Sequence, residues 1–352
     1  MADAGASGTA PRTQAVDDRL LWDGVLACYR MPALAVADEL GLFPSLAGQP
    51  ESAAALAETL AISPRGCAAL VGVLLAMHLL EHEADGVTLR PTDSARRFLL
   101  PGQPAYWGPA LRLMRHSPLD YPHVLQAVRH ADGPDWPRLQ QDLWARHQAD
   151  PSMAVEFADV MDAQGFAPAQ ALAALPAFAG VRRLLDVGGG SGAFSLALAR
   201  DWPRLQATIL DLAPTCRHAE RRIADAGLQD RIVTTVADMW ADPWPGGHDA
   251  ILMSNIVHDW SEARNRRLFE RAHAALAPGG RLFLHEMLLD EDGAGPATVA
   301  AYSMDMLLYT DGKQYRRSEL ARMLDDNGFS NIEVMPCCGY FSLIASERHA
   351  DT

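Results

Sequence analysis

The sequence predicts an α/β protein in which a mostly parallel, doubly wound sheet follows a mainly helical front end. Two features of its 352 residues carry this prediction. From residue 181 onward, short β-rich runs such as RLLDV and AILMSNI alternate with helical segments, and a glycine cluster follows the first run. Before residue 100, apolar residues recur at the three- and four-residue spacing of helices. We therefore expect more than one structural unit, as the chain length also suggests.

The composition is that of a globular protein, with 49% hydrophobic and 21% charged residues. A net charge of −14 argues against nucleic acid or an anionic membrane as a partner. No uninterrupted apolar stretch approaches the roughly 20 residues of a membrane helix. Residues 1–16 are small and polar without the apolar run of a signal peptide, and the five cysteines are scattered. We expect a disordered lead-in, reduced thiols and a cytoplasmic location.

Residues 17–104 have the order of a winged-helix domain. Gly41 ends a first helical stretch, Ser52 and then Ser63 open two more helices, and Asp85-Gly86 marks a hairpin. The third helix carries a single basic residue and is otherwise apolar, which favours burial in a dimer over contact with DNA. We predict a homodimer built by the apolar helices between residues 17 and 80.

Residues 105–180 stay helical and form a predicted linker and pocket wall, before the cofactor domain of residues 181–352. The helix that starts at Pro151 carries Met153, Phe157 and Met161 on one face. That stripe fits core packing and a substrate pocket equally well. At the C-terminus, a helix and two strand-like runs predict a closing antiparallel hairpin.

The glycine cluster DVGGGSG follows a strand and opens a helix, which is the setting of a cofactor-binding loop. The glycines Gly188, Gly190 and Gly192 allow a sharp turn and close approach of a ligand. A dinucleotide fingerprint is an alternative for the loop alone. Asp186, however, lies two residues before the first glycine, where a carboxylate would attract an ammonium group and repel a pyrophosphate.

Acidic residues also end the following strands. Asp211, followed by Leu212, lies 19 residues after Gly192, where a carboxylate can bind ribose hydroxyls. Asp238 and Met239 end the next strand and offer a carboxylate and a thioether to an adenine. We also include Ser254, at the end of a further strand, among the cofactor contacts. Together these positions describe a nucleoside that carries an amino acid, which is S-adenosylmethionine.

These motifs make the chain similar to class I methyltransferases of the plant-type and hydroxyindole O-methyltransferase family, including its bacterial natural-product tailoring branch. The resemblance begins near residue 17 and rests on the strings DVGGGSG, LDLAP, VADMW, SNIVHDW and PGGRLFLHEMLLDEDGAGP. It implies a Rossmann-like sheet behind a winged-helix dimerisation domain, S-adenosylmethionine as cofactor, a homodimer and a role in antibiotic biosynthesis.

The resemblance also implies that His258, in the HDW string, is the general base. A phenol has a pKa near 10 and needs its proton removed, and a histidine titrates near neutrality, so we expect an apparent pKa near neutrality. Asp259 and Glu286 match supporting acids. The family's second glutamate is replaced by Gln314, which can hydrogen-bond an imidazole but carries no charge.

Three functions follow. The first is O-methylation of a small aromatic or polyketide-like compound, with Asp305 holding a polar substituent and Phe157, Met161, Met306 and Tyr309 lining the pocket. The second is metal-assisted C-methylation of an α-keto acid, with His258, Asp259 and His285 as ligands. Adjacent strand residues point to opposite faces, which argues against His285 and Glu286 sharing one pocket. The third is a tailoring or regulatory protein that binds the cofactor without methyl transfer.

Overall fold

The computed structural model describes residues 17–115, 121–131 and 151–349, without the side chains of residues 151–156. The predicted lead-in, residues 1–16, lies outside this part of the chain. The chain divides into two compact units, residues 1–96 and 97–352. The finer division at residues 104 and 180 stays a prediction.

The first unit is mainly helical and contains a small three-stranded antiparallel sheet of order β1-β3-β2. Its helices are α1 (Arg19–Leu26), α2 (Arg30–Glu39), α3 (Leu42–Gly48), α4 (Ala53–Thr59) and α5 (Pro64–Ala76), and α6 (Asp93–Phe98) crosses its boundary. Its strands are β1 (Glu51–Ser52), β2 (Leu80–His82) and β3 (Thr88–Pro91).

The helix starts follow the local chemistry of the sequence. Ser52 accepts a hydrogen bond from the Ala55 N–H at 3.3 Å, and Ser63 accepts one from the Gly66 N–H at 3.1 Å. These bonds satisfy amides that have no partner inside a helix. Gly41 joins α2 to α3 with φ of +67°, a conformation that side chains disfavour.

The N-terminal helices expose an apolar surface. In α1 no residue is buried, and Leu20 is 85% and Leu21 72% exposed. Arg19–Glu39 forms a nearly continuous helical run of 21 residues that is long and apolar enough to cross a membrane. Asp23 and Arg30 interrupt its apolar residues without ending the helix, so the run is not an uninterrupted apolar stretch.

The second unit opens with α7 (Gly108–Met114), α8 (Tyr121–His130) and α9 (Pro151–Ala173). A seven-stranded sheet of order β6-β5-β4-β7-β8-β10-β9 follows. Its strands are β4 (Arg183–Val187), β5 (Gln206–Asp211), β6 (Ile232–Val236), β7 (His248–Ser254), β8 (Leu276–Met287), β9 (Phe329–Pro336) and β10 (Phe341–Arg348). The helices between them are α10 (Ala193–Asp201), α11 (Ala213–Asp225), α12 (Glu262–Ala275), α13 (Ala297–Tyr309) and α14 (Arg317–Asp325).

The first five strands of this sheet are parallel, and β10 pairs antiparallel with both β8 and β9. The predicted α/β class and closing hairpin are confirmed. Apolar side chains cover both sheet faces, with Leu184 and Phe283 in one core and Leu185 and Leu284 in the other. Because parallel strands end at one edge, the loops after β4, β5, β6 and β7 meet there.

Candidate active site

The glycine loop between β4 and α10 is bound to the end of β5. Gly188, Gly190 and Gly192 have φ of +65°, +58° and +80°. The Gly188 N–H donates to the Leu210 carbonyl at 2.8 Å, and the Gly190 N–H donates to Oδ2 of Asp211 at 2.9 Å. The loop therefore depends on glycine for its path and on Asp211 for its position.

The same loop leaves room for a ligand. A Cβ on Gly188 would lie 2.5 Å from Cδ1 of Ile256, and one on Gly192 would lie 2.7 Å from Cδ1 of Ile209. A Cβ on Gly190 would meet nothing within 4 Å, so this backbone has an open side. An open backbone face beside the carboxylate of Asp211 fits a ribose-bearing cofactor such as S-adenosylmethionine.

The two nearby acids differ in their surroundings. Asp211 accepts a further hydrogen bond from the Leu212 N–H at 2.7 Å, and burial raises its pKa against these backbone donors. Asp186 is 1% exposed, accepts a hydrogen bond from the Ser195 hydroxyl at 2.6 Å, and lies beneath Gly189. Burial raises the pKa of Asp186 to about 6. These contacts indicate that Asp186 supports the glycine loop.

The remaining predicted cofactor residues lie on neighbouring strand ends. Asp238 is exposed, and its Oδ1 accepts a hydrogen bond from the Trp240 N–H at 2.8 Å. Met239 is half-buried, and its carbonyl accepts a hydrogen bond from the Trp244 indole at 3.0 Å. The hydroxyl of Ser254 lies 2.9 Å from Nδ1 of His285.

His258 and Glu286 form a buried pair beside the glycine loop. Nδ1 of His258 is 2.6 Å from Oε2 of Glu286, while Oε1 of Glu286 accepts the N–H groups of Ile256 and Val257 at 3.0 and 2.8 Å. A carboxylate only accepts, so Nδ1 carries the proton and Nε2 is left for proton exchange. Asp259 places Oδ1 3.7 Å from that Nε2.

The charges around His258 change its proton affinity. Burial alone would lower the pKa of the imidazole, but the carboxylates of Glu286, Asp259 and Asp305 together outweigh it. The pKa of His258 is raised to about 9. The structure therefore does not support the expected value near neutrality, because several carboxylates close to the buried ring favour its protonated form.

His285 faces the opposite side of β8, as the strand alternation predicts. Its ring stacks on Phe341 with centroids 4.6 Å apart and lies 5.1 Å from the ring of Phe194. Burial lowers the pKa of His285 to about 3, so the ring is neutral. In the described chain, His258, Asp259 and His285 do not converge as metal ligands, so the predicted ligand set for C-methylation is not assembled.

The metal-like cluster that the described residues do contain is elsewhere, at Asp159, Asp162 and His218. Asp162 accepts short hydrogen bonds from the Ser191 hydroxyl and from Arg222. The guanidinium already neutralises this carboxylate. The cluster thus ties α9 to the glycine loop through Ser191.

The residues predicted to contact the acceptor lie on α13 and α9. Asp305 is half-buried, and burial raises its pKa while the charge of His258 lowers it. Met306 is buried and Tyr309 half-buried on the same helix. Phe157 and Met161 are half-buried on α9, and the side chain of Met153 lies outside the described residues. The place of these residues in a substrate pocket stays a prediction.

Gln314 does not take the role expected of it. It is fully buried, and within the described chain neither of its amide atoms has a hydrogen-bond partner. Its backbone N–H donates to the Ser303 hydroxyl at 3.1 Å. The hydrogen bond to the imidazole that the sequence suggested is therefore made by Glu286 and not by Gln314.

Two features were missed from the sequence. Tyr302 has its ring 5.4 Å from that of His258, and burial raises its pKa above the usual range. Its spacing of three, four and seven residues from Asp305, Met306 and Tyr309 is a helical face and could have identified it. The contact of Arg264 with Trp240 has no local signal, because these two residues are distant in sequence.

Comparison with known proteins agrees with this geometry. An O-methyltransferase domain family matches residues 121–330. A 3-hydroxy-5-methyl-1-naphthoate 3-O-methyltransferase from Streptomyces sahachiroi is 37% identical over 337 residues, which is 95% of each chain. A tetracenomycin polyketide synthesis 8-O-methyltransferase from Streptomyces glaucescens is 30% identical over 89% of this chain and 92% of its own.

A solved structure has the same fold. Human N-acetylserotonin methyltransferase, in complex with S-adenosylmethionine, superposes with a TM-score of 0.78. The match covers 97% of this chain and 100% of the human one at 22% identity. At this identity the likeness concerns the fold.

Proposed function

The chain belongs to the S-adenosylmethionine-dependent O-methyltransferase family, and from this premise we propose that His258 is the base that activates the acceptor. The proposed acceptor is a hydroxyl on a small aromatic or polyketide-like metabolite. The names of the two Streptomyces relatives support this class, since both refer to O-methylation in aromatic or polyketide chemistry. The proposed role is tailoring in antibiotic biosynthesis.

The observation that carries the proposal is the buried pair at 2.6 Å between His258 and Glu286. Glu286 accepts a hydrogen bond from the proton-bearing Nδ1 of His258 and two more from the backbone of the turn that carries His258. It therefore fixes the tautomer and the orientation of the imidazole ring. Nε2 is placed to take the hydroxyl proton. S-adenosylmethionine would supply the methyl group, whose bond to the sulfonium sulfur would break as its bond to the acceptor oxygen forms, leaving a neutral thioether. The developing imidazolium is stabilised by the paired carboxylate.

S-adenosylmethionine, when bound, supplies the electrophilic methyl group. We propose that Asp211 binds its ribose. We further propose that the cofactor approaches the backbone closely at Gly188, Gly190 and Gly192. Asp238, Met239, Leu212 and Ser254 are proposed neighbours, and Asp186 is proposed to act through the loop that it supports. The contact of Ile256 with Gly188 supports this arrangement, because it places the turn that bears His258 against the cofactor loop.

For the first unit we propose a winged-helix dimerisation domain in a cytoplasmic homodimer. The exposed apolar side chains of Leu20, Leu21, Trp22 and Val25 support this, since apolar surface on this scale marks an interaction site. Light scattering tests the proposal. A dimeric mass that falls to a monomeric one in L21E/V25E is expected, and a monomeric wild-type protein would contradict it.

A methyl-transfer assay tests the proposed reaction. Purified enzyme is incubated with S-adenosylmethionine and a panel of hydroxynaphthoates and hydroxyanthraquinones, and products are identified by mass spectrometry. Each acceptor has a control in which the hydroxyl is already a methyl ether. We expect methylation of free hydroxyls and none of the ethers. Methylation of the ethers, or no transfer to any hydroxyl by enzyme that binds the cofactor, would contradict the proposal.

A further inference from the structure

Arg264 packs against a pair of tryptophans in a contact that the proposed reaction does not itself explain. Its guanidinium carbon is 5.4 Å from the ring centroid of Trp240 and 4.9 Å from that of Trp260. The two indoles meet edge to face with centroids 4.8 Å apart. Nη1 of Arg264 is also 3.6 Å from Oδ2 of Asp311. We call Trp240, Arg264 and Trp260 the Arg264 stack.

The stack joins three loops that come from distant parts of the sequence. Trp240 directly follows Asp238 and Met239, the proposed neighbours of the adenine, and Trp260 is two residues after His258. The Asp311 N–H donates to the Asp259 carbonyl at 3.2 Å. One guanidinium therefore contacts the cofactor side, the base turn and the segment that leads to Gln314.

The backbone and the side chain of the base turn are held by different residues. Nδ2 of Asn265 donates to the carbonyls of Val257 and Trp260 at 2.9 and 3.0 Å, and the Tyr315 hydroxyl donates to the Trp260 carbonyl at 2.6 Å. The Trp260 indole N–H has no hydrogen-bond partner among the described residues. The ring of Trp260 is thus positioned by packing, to which Arg264 contributes directly.

We propose that Arg264 is a positioning residue that, through Trp240 and Trp260, keeps the His258 turn aligned with the cofactor-binding loop. This inference rests on the proposed function of His258. The broad guanidinium contacts both rings at once, which the compact ammonium group of a lysine cannot do. Loss of the stack leaves the hydrogen bonds from Asn265 and Tyr315 in place. It removes the packing of Trp260, so we expect the turn to shift relative to the bound cofactor.

Hydrogen exchange with S-adenosylmethionine present tests this alignment without an acceptor. In R264Q we expect the amides of Asp259 and Trp260 to exchange roughly tenfold faster, while the Val257 amide, bound to Glu286, stays protected. R266Q is the matched control, because Arg266 is on the same helix and pairs with Glu262 and Asp326 instead. Unchanged exchange in R264Q would overturn the proposal.

Kinetics separate positioning from simple stabilisation. With a hydroxylated acceptor, R264K and R264Q should lower kcat roughly tenfold or more while cofactor affinity stays near that of the wild type. W240A should produce a similar loss, and W240A/R264Q should lose little more, because the two residues act as one unit. A loss confined to cofactor affinity or thermal stability, or fully additive losses, would refute the proposal. Absence of transfer by wild type and R266Q alike would reject the proposed function, and hydrogen exchange would still decide the role of Arg264.

Discussion

The cofactor edge and the base cluster lie side by side at one end of the sheet, but they are built by different means. The cofactor edge, residues 188–192 with Asp211, is held by hydrogen bonds from loop amides to the Leu210 carbonyl and the Asp211 carboxylate at the end of β5. The base cluster, His258 with Glu286, Asp259 and Asp305, brings side chains from separate segments into a buried site. Backbone geometry therefore determines the shape of the cofactor edge, whereas nearby charges determine the proton affinity of His258 in the base cluster.

The largest effect should come from the proton acceptor itself. H258Q should lower kcat by roughly 10²–10⁴-fold, because the phenolic proton then has no base, and should leave cofactor affinity intact. Steady-state kinetics and calorimetry measure the two quantities, with H82Q as a control in the first unit. A variant with near-full turnover would show that alignment with the cofactor, and not the base, carries catalysis.

A substitution in the cofactor edge should instead affect cofactor binding more than turnover. D211A should weaken S-adenosylmethionine binding by ~1–3 kcal/mol, because the carboxylate supports both the loop and the proposed ribose contact. Turnover at saturating cofactor should change less. Calorimetry checks the affinity against D230A, which alters an exposed aspartate in the turn before β6. An unchanged affinity would remove Asp211 from the cofactor site.

Charge in the base cluster should appear in the pH dependence. In the wild type the rate should rise with pH toward about 9, since only neutral His258 accepts a proton. E286Q should lower turnover on the order of 10-fold and move the rising limb of the pH–rate profile to lower pH. Without the Glu286 charge, less opposes the effect of burial, which lowers the pKa of His258. E291Q, which alters an exposed acid, should keep the wild-type profile. A limb that stays in place in E286Q would mean that Glu286 does not set the charge of His258.

The smallest effect is expected from metal removal. Because His285 stacks on Phe341 away from His258, a chelator should change turnover by less than about twofold. Likewise, H285F should affect thermal stability more than turnover. Loss of activity with chelator and its return with a divalent ion would favour the metal-assisted alternative.

The sequence predicts the cofactor edge better than the base cluster, for a physical reason. The turn at Gly188 and the acid at Asp211 follow strand ends, so local pattern and parallel topology place them. The alternation of β8 likewise predicts that His285 and Glu286 diverge. The proton affinity of His258 could not be predicted, because it depends on carboxylates from three segments. The burial of Gln314 and the contact of Arg264 with Trp240 also arise only from tertiary packing.

The central claim is that His258 is a buried base whose proton affinity is raised by Glu286. A titration of the histidine ring carbons by NMR tests it directly, with the His258 signal assigned from its absence in H258Q. We expect an apparent pKa for His258 of about 9 in the wild type and a clearly lower one in E286Q. A wild-type pKa at or below the ordinary value near 6.5, unchanged in E286Q, would contradict it.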